Sequence, residues 1–537
     1  MRNYVGITIG PICDTLGDAR TPAALWFASS LFSDITRRIC GAITGVDGFQ
    51  EVKIYSPYYS ESITMDDGIG KFHDRIIFST SDFEREKMNK ILETVKEETL
   101  QNFPKQAYLS GTKEFIKEYL QIHYVVKSEE EIGQTNCILA LSPYLDMLEL
   151  MKTFPKTSQG NPIMKLFLGE TENGNKYIKQ SPLFNKIKKE INQLKSKEGI
   201  WRIDEIASHR GRIIEDCKRK DYFAVVSADG DGIGELLKHL SNDMVTKFSE
   251  ACLKYAQKAA ALIGNYGGMT VYAGGDDLLF LAPVMTEEKT VFKLCNEIQE
   301  LFQTEIKELE KVQKNIPIPT VSFGISIQYK KYPLYEALDS AQRLLKLAKK
   351  DGDLDKNKDC RKNNMMIEVQ KHSGQSIPII VSNESYNVFD EFINLDKMDE
   401  EIKNNEENIL QSISYKLNTY RFLILVLNQK AKAKEMQPEE YQLIWRNFFD
   451  NIEQEKYKTY LDAIVKLYYN YFVIKEEKIS VPKYDFSENY ICQKEWEEQE
   501  DSEGQEESEE QKDPSLKTLI YLLKLKKFLA EKEGVKP

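Results

Sequence analysis

The chain has 537 residues, of which 41% are hydrophobic and 29% charged, and a formal net charge of −12. This is the composition of a globular chain long enough for several cores, and it excludes a wholly disordered or fibrous protein. Eleven acids and one lysine between Glu495 and Asp513 carry −10 of the charge, and the remaining −2 excludes a free-standing, strongly basic nucleic-acid binder.

The first predicted element is a strand, Tyr4–Ile9, broken by Gly10-Pro11. A helix follows from Pro22 to Ile39, with proline in the first turn, where its missing N–H is harmless. Strands are expected at Val52–Tyr55 and Ile76–Ser79, and helices over Phe83–Phe103, Lys113–Ile122 and Pro143–Phe154. Residues 156–176, rich in Gly, Asn and Pro, read as a loop or boundary, and a Lys-rich helical stretch runs on to about Lys197.

From Asp221 the pattern sharpens. Phe223–Ser227 is a short apolar run suited to a buried strand, followed by Asp229-Gly230-Asp231-Gly232-Ile233-Gly234 and a helix opening near Glu235. After a helix over Thr246–Gly264, the runs Met269–Ala273 and Leu278–Ala282 flank Gly274-Gly275-Asp276-Asp277, as in a β-hairpin. A helix near Lys289–Leu309, a strand at Thr320–Gln328 and a helix at Tyr335–Lys350 complete the order β-α-β-β-α-β-α, that of a ferredoxin-like core with one extra helix. The first segment opens the same way, which suggests a diverged repeat. From about residue 376 helices are expected, at Ile409–Ala433, Pro438–Ile452 and Tyr457–Tyr471. The acidic stretch 495–513 reads as solvated, with Asp513-Pro514 capping a last helix that docks through Leu516, Leu519, Ile520 and Leu523.

The acid-glycine pairs carry the chemistry. If the hairpin and the first strand are neighbours, Asp229 faces Asp276 and Asp277 across the end of one sheet. Magnesium favours such oxygen donors, usually one or two carboxylates together with substrate phosphates, and paired ions can activate a hydroxyl and stabilise a leaving oxygen. Gly230, Gly232 and Gly234 allow backbone N–H groups to approach a triphosphate beside a helix start, while Gly274 and Gly275 permit the tight turn and leave space above the acids. Asp231 either assists a metal or caps the next helix. Lys349, beside the stripe Leu338, Ala341, Leu345 and Ala348, either meets phosphate charge or satisfies its helix terminus.

Strand, Asp loop, helix, Gly274–Asp277 hairpin, Ser322–Ser326 strand and Ala348-Lys349 together resemble the palm of GGDEF-type nucleotidyl cyclases. GGDD in place of GGDEF is similar to the large polymerase/cyclase subunit of type III CRISPR effector complexes. Ile9-Gly10-Pro11, Ala19-Arg20 and Leu25–Leu31 resemble the first palm motif of its Cmr branch. The resemblance implies an α+β chain of two ferredoxin-like palm domains packed face to face, plus helical domains. The expected division is 1–160 for the first palm, 161–215 for a helical insert, 216–375 for the catalytic palm and 376–537 for a helical domain. It implies catalytic and metal-binding Asp229, Asp276 and Asp277. Nucleotide contacts are expected from Gly230, Asp231, Gly232, Gly234, Gly274, Gly275, Ser326 and Lys349.

The implied reaction is attack on the ATP α-phosphate with pyrophosphate release, dependent on Mg or Mn. It makes cyclic oligoadenylate, or an AMP conjugate with S-adenosylmethionine as co-substrate, when guide RNA pairs with target RNA. The implied partners are the other complex subunits and, largely through them, both RNAs, with no membrane. An inactive scaffold subunit and a stand-alone cyclic dinucleotide synthase are the alternatives. With the palm-like motif starting within the first ten residues, the HD nuclease domain of many relatives is not expected, and His73-Asp74 reads as coincidence. Asp351, Asp353 and Asp355 only partly mimic a calcium loop. Eight scattered cysteines without a CxxC pair predict neither disulfides nor a zinc cluster, and with no secretory signal the expected setting is cytoplasmic.

Overall fold

The structure is a computed structural model that describes residues 2–63, 69–99, 112–133, 135–151, 202–208, 221–312, 314, 316–350, 362–395, 400–449, 455–476, 478–482 and 514–530. The expected loop at 156–176, the Lys-rich stretch, the Asp351–Asp355 segment, the acidic stretch and the Asp513 cap lie outside the described residues.

The first half is a four-stranded antiparallel sheet in the order β2-β3-β1-β4, from β1 (Asn3–Gly10), β2 (Lys53–Ser56), β3 (Arg75–Thr80) and β4 (Gln121–Ser128). β4 falls where a helix was expected to continue to Ile122. The helix stops at Tyr119, and Gln121–Ser128 pairs along the whole of β1. The long helix behind this sheet, Pro22–Thr44, starts on a Thr21 hydroxyl that accepts from the Ala24 amide, and it buries Leu25 to Ile35 almost without interruption.

The second half is a seven-stranded sheet in the order β11-β10-β9-β8-β5-β7-β6. Its members are β5 (Tyr222–Asp231), β6 (Met269–Gly274), β7 (Asp277–Pro283), β8 (Thr320–Tyr329), β9 (Asn364–Gln370), β10 (Ser376–Ser382) and β11 (Ile479–Ser480). The stretch β8-β5-β7-β6 repeats, strand for strand, the order β4-β1-β3-β2, so the two halves share the ferredoxin-like topology read from the sequence. The Leu334–Lys350 helix is a crossover to β9, which lies parallel to β8. β10 and β11 carry the sheet past the expected boundary at 375. β5 is apolar on both faces because it is central, flanked by β7 and β8 and covered on either side.

The C-terminal helices appear where expected, except that Ile409–Ala433 divides into Glu400–Thr419 and Arg421–Lys432. The last helix, Pro514–Ala530, is docked as predicted and buries Leu516, Leu519 and Leu523. Ile520 is only half-buried, while Phe528 packs edge-on against Tyr222 with ring centroids 4.9 Å apart. Among the described residues no helix is long and apolar enough to cross a membrane, and the described cysteines are unpaired.

Candidate active site

Sheet register brings the acids together. In the β5–β7 ladder Ala228 pairs with Leu278, so the next residue on each strand toward the hairpin, Asp229 and Asp277, share one end of the sheet. Gly274 pairs with Asp277 and leaves Gly275-Asp276 as a two-residue turn. Gly275 has φ +69°, a left-handed conformation that suits glycine in such a turn. Asp276 then folds back over β5. A Cβ on Gly230 would stand 2.5 Å from Asp276 Oδ2, so only glycine permits that approach.

Asp276 and Asp277 hold protons unusually well. Burial, then the charge of Asp229, pushes Asp276 up to about 6, against opposing pulls from backbone amides including that of Gly230 and from Lys349. Asp277 reaches solvent, yet protein atoms crowd round it. Burial and the charges of Asp276, Asp229 and Asp74 drive it well above the usual carboxylate range. Lys349, in the last turn of the Leu334–Lys350 helix, points into this charge. Its ammonium pairs with Asp229 Oδ2, donates to the Gly230 carbonyl at 3.0 Å and lies 3.8 Å from Asp231 Oδ1. The buried stripe of that helix runs through Leu338, Ala341, Leu344 and Ala348, with Leu344 rather than Leu345 fully buried.

Other expected site residues fall differently. Asp231 does not cap the helix Ile233–Lys238, which has Gly232 at its N-cap (φ +77°) and no side-chain cap. Asp231 is buried instead, and its Oδ2 accepts from Thr320 Oγ1 (3.1 Å), Ser322 Oγ (2.7 Å) and the Asn363 amide (2.9 Å). Ser326 is separated from the acids. It pairs with Val225, four residues along β8 from Ser322, which stands opposite Asp229. At about 3.3 Å per residue that is roughly 13 Å from the acid end, and Ser326 Oγ accepts from Gln328 Nε2 instead. Gly274 does not open space above the acids, because the Tyr272 ring lies against it and a Cβ there would be 2.5 Å from the Tyr272 hydroxyl. Gly234 does face open space.

The first half closes the site from the other side. Gly70 bridges to Tyr272 on the free edge of β6, its carbonyl accepts from the Ala273 amide at 2.9 Å, and Ser29 Oγ donates to the Val271 carbonyl at 2.7 Å. Arg20, from the first motif, stacks 3.7 Å over the Tyr335 ring. His73 stands beside the GGDD turn, with Cδ2 3.8 Å from where a Gly275 Cβ would be. Both its ring nitrogens are used internally, Nε2 with Ser56 Oγ at 2.9 Å and Nδ1 accepting from the Arg75 amide at 3.4 Å. Burial and Arg75 lower it to about 4, so the ring is neutral. Tyr272, His73 and Asp74 are site neighbours that the local sequence does not announce. Only the bare His73-Asp74 pair was visible, without the fold that carries it to the hairpin.

Whether these side chains suit a divalent ion turns on their donors. Among the described residues no three His, Cys, Asp or Glu side chains form a ready metal cage. Asp229, Asp276 and Asp277 are mutually repelling oxygen donors, however, and a lysine ammonium already neutralises one of them. That set fits a hard cation completed by phosphate and water oxygens.

Residues 222–359 match the family described as Cas10/Cmr2, second palm domain. A curated relative, the CRISPR system Cmr subunit Cmr2 of Pyrococcus furiosus, is 25% identical over 186 residues, 30% of this chain. The matched region spans a fifth of that relative's length. Among the similar solved structures are two type III-B complexes. One is a type III-B Cmr-beta complex in the apo state (TM-score 0.55, 12% identity, 99% of this chain and 82% of that one). The other is Cmr-beta bound to cognate target RNA (TM-score 0.48, 11% identity, 83% and 78%).

Proposed function

We propose that this chain, whose residues 222–359 are a palm of the Cas10/Cmr2 type and which is a homologue of the Cmr branch, is the nucleotidyltransferase subunit of an RNA-guided type III CRISPR complex. The observation that carries the reading is the convergence of Asp229, Asp276, Asp277 and Lys349 at one end of the central sheet. Asp229, Asp276 and Asp277 would hold Mg or Mn, which supplies charge neutralisation at a triphosphate when bound. Lys349 lies where it can meet phosphate charge, and Gly230 and Gly232 keep the backbone bare beside it.

In the reaction a ribose hydroxyl of the acceptor attacks the α-phosphorus of ATP. A new P–O bond forms, the bond to the bridging oxygen breaks, pyrophosphate leaves and the hydroxyl proton passes to solvent. No nucleophilic side chain is needed, and the neutral, internally bonded His73 is not called on as a base. Catalysis rests on positioning and electrostatics. The product is a cyclic oligoadenylate, or an AMP conjugate if S-adenosylmethionine is the acceptor. The partners are the other complex subunits with guide and target RNA.

The test replaces Asp276 and Asp277 together by Ala and assays ATP turnover by the assembled complex with target RNA. Product is identified by mass spectrometry with and without S-adenosylmethionine. A loss of about a hundredfold or more is expected from removing charge stabilisation, and undiminished turnover overturns the assignment. Magnesium-dependent ATP binding by the wild type without any product would favour the scaffold reading.

A further inference from the structure

Lys349 is engaged with the acids of the site. Its ammonium sits on Asp229, the carboxylate the proposed function gives to a divalent ion, and on the Gly230 carbonyl. A second acid stands 3.8 Å from it. Asp231 is buried, and the hydroxyls of Thr320 and Ser322 and the Asn363 amide all converge on its Oδ2. Oδ1 is also buried and makes no hydrogen bond. Three donors on one oxygen fix the carboxylate's orientation, so Oδ1 stays turned toward the lysine. A buried acceptor left without a donor carries a desolvation cost that an arriving ammonium would relieve.

We propose that Lys349 is the resident counter-ion of the acid site and that Asp231 is its second berth: a divalent ion binding Asp229 displaces the ammonium onto Asp231 Oδ1. The inference rests on Asp229 being a metal ligand. The displacement closes a separation of 3.8 Å to the ~2.8 Å of a charge-assisted hydrogen bond, well within the play of a lysine stem. Asp231 touches neither metal nor nucleotide in this scheme. It is a positioning residue, keeping the positive charge beside the incoming phosphates where an untethered lysine would swing to solvent. It also makes metal binding cheaper, since the displaced ammonium gains a partner.

The experiment titrates Mn2+ alone into the full-length chain without nucleotide, following the free-ion paramagnetic resonance signal. It compares wild type, Lys349→Met, Asp231→Asn and the double variant. Asn keeps an oxygen for the Ser322 and Thr320 hydroxyls and turns an amide N–H toward the ammonium. Lys349→Met removes the competitor and is expected to tighten Mn2+ by about threefold or more. Asp231→Asn is expected to weaken it by a similar factor, and most of that loss should vanish in the Lys349→Met background, the mark of coupling through the lysine. An Asp231→Asn loss that persists undiminished beside Lys349→Met overturns the proposal, as does unchanged Mn2+ affinity in Lys349→Met, a comparison independent of how the Asp231 variant folds. Asp277→Asn separates the two readings. If wild type shows no Mn2+ binding that this variant removes, the metal reading falls and the berth with it. If that binding is present but the cycle is additive, only the berth falls.

Discussion

Asp276 stores a pH dependence in the unliganded protein. With its folded pKa near 6 against an ordinary 3.8, the native chain binds the proton more tightly than the unfolded chain. The stability this gives is fully present below about pH 4 and is lost as pH rises through 6. Asp276→Asn removes the ionisation. Without divalent ions the variant is therefore expected to melt a few degrees above wild type at pH 7.5 and level with it near pH 4, by differential scanning fluorimetry in chelator. Equal melting at pH 7.5 would refute the electrostatic strain. The same scale shows what a sequence can and cannot reveal. Asp229, Asp276 and Asp277 are legible because Asp229 follows an apolar strand-like run and the Asp276-Asp277 pair follows two glycines, an uncommon pattern. Ser326 was misplaced because its strand was visible but its register was not: which serine of β8 meets the acids depends on pairing with β5, and Ser322 is the one. Asp231 was read as ligand or cap because nothing local announces Thr320, Ser322 and Asn363 as its donors.

At the scale of elements, the Leu334–Lys350 helix matters because it carries Lys349. It lies directly on β8 at Gly324, where a Cβ would come within 2.2 Å of the Ala341 carbonyl oxygen and 2.3 Å of the Leu345 amide nitrogen. Both obstacles are backbone, so a methyl group there cannot be absorbed by a rotamer change and the helix must lift. Gly324→Ala is expected to cost about 1–3 kcal/mol of stability by overpacking, read as a lowered urea midpoint. It should also weaken ATP binding severalfold, since the ammonium moves with its helix. Unchanged stability and ATP affinity together would show that the helix is not seated as described. Elements with a clear apolar period were readable in advance, including this helix, both flanks of the hairpin and the last helix. β4 was not, because Lys113–Ile122 continues a helical pattern into residues that the long edge of β1 claims. β10 was missed for a similar reason: Ser376–Ser382 is a short apolar run that only its pairing with β9 defines as strand.

At the scale of the molecule, the two halves share their interior. Phe27, fully buried in the Pro22–Thr44 helix, belongs to one apolar cluster with Phe223 and Val225 of β5, Val271 of β6, Leu281 of β7 and Leu338 of the Lys349 helix. The Gly70–Tyr272 bridge covers the outer edge of β6, so the strand that leads into the GGDD turn is finished by the first half of the chain. A site assembled in this way depends on both halves being folded. Phe27→Ala removes a buried ring from the shared cluster and is expected to cost about 3–5 kcal/mol. Native-state hydrogen exchange then distinguishes one cooperative body from two. If the interior is common, amides of β5, β6 and β7 lose protection along with those of β1 and β3, and by a similar factor. Loss confined to residues 2–149 would mean that the GGDD half stands by itself, and the first half would then be a neighbour of the site rather than a wall of it.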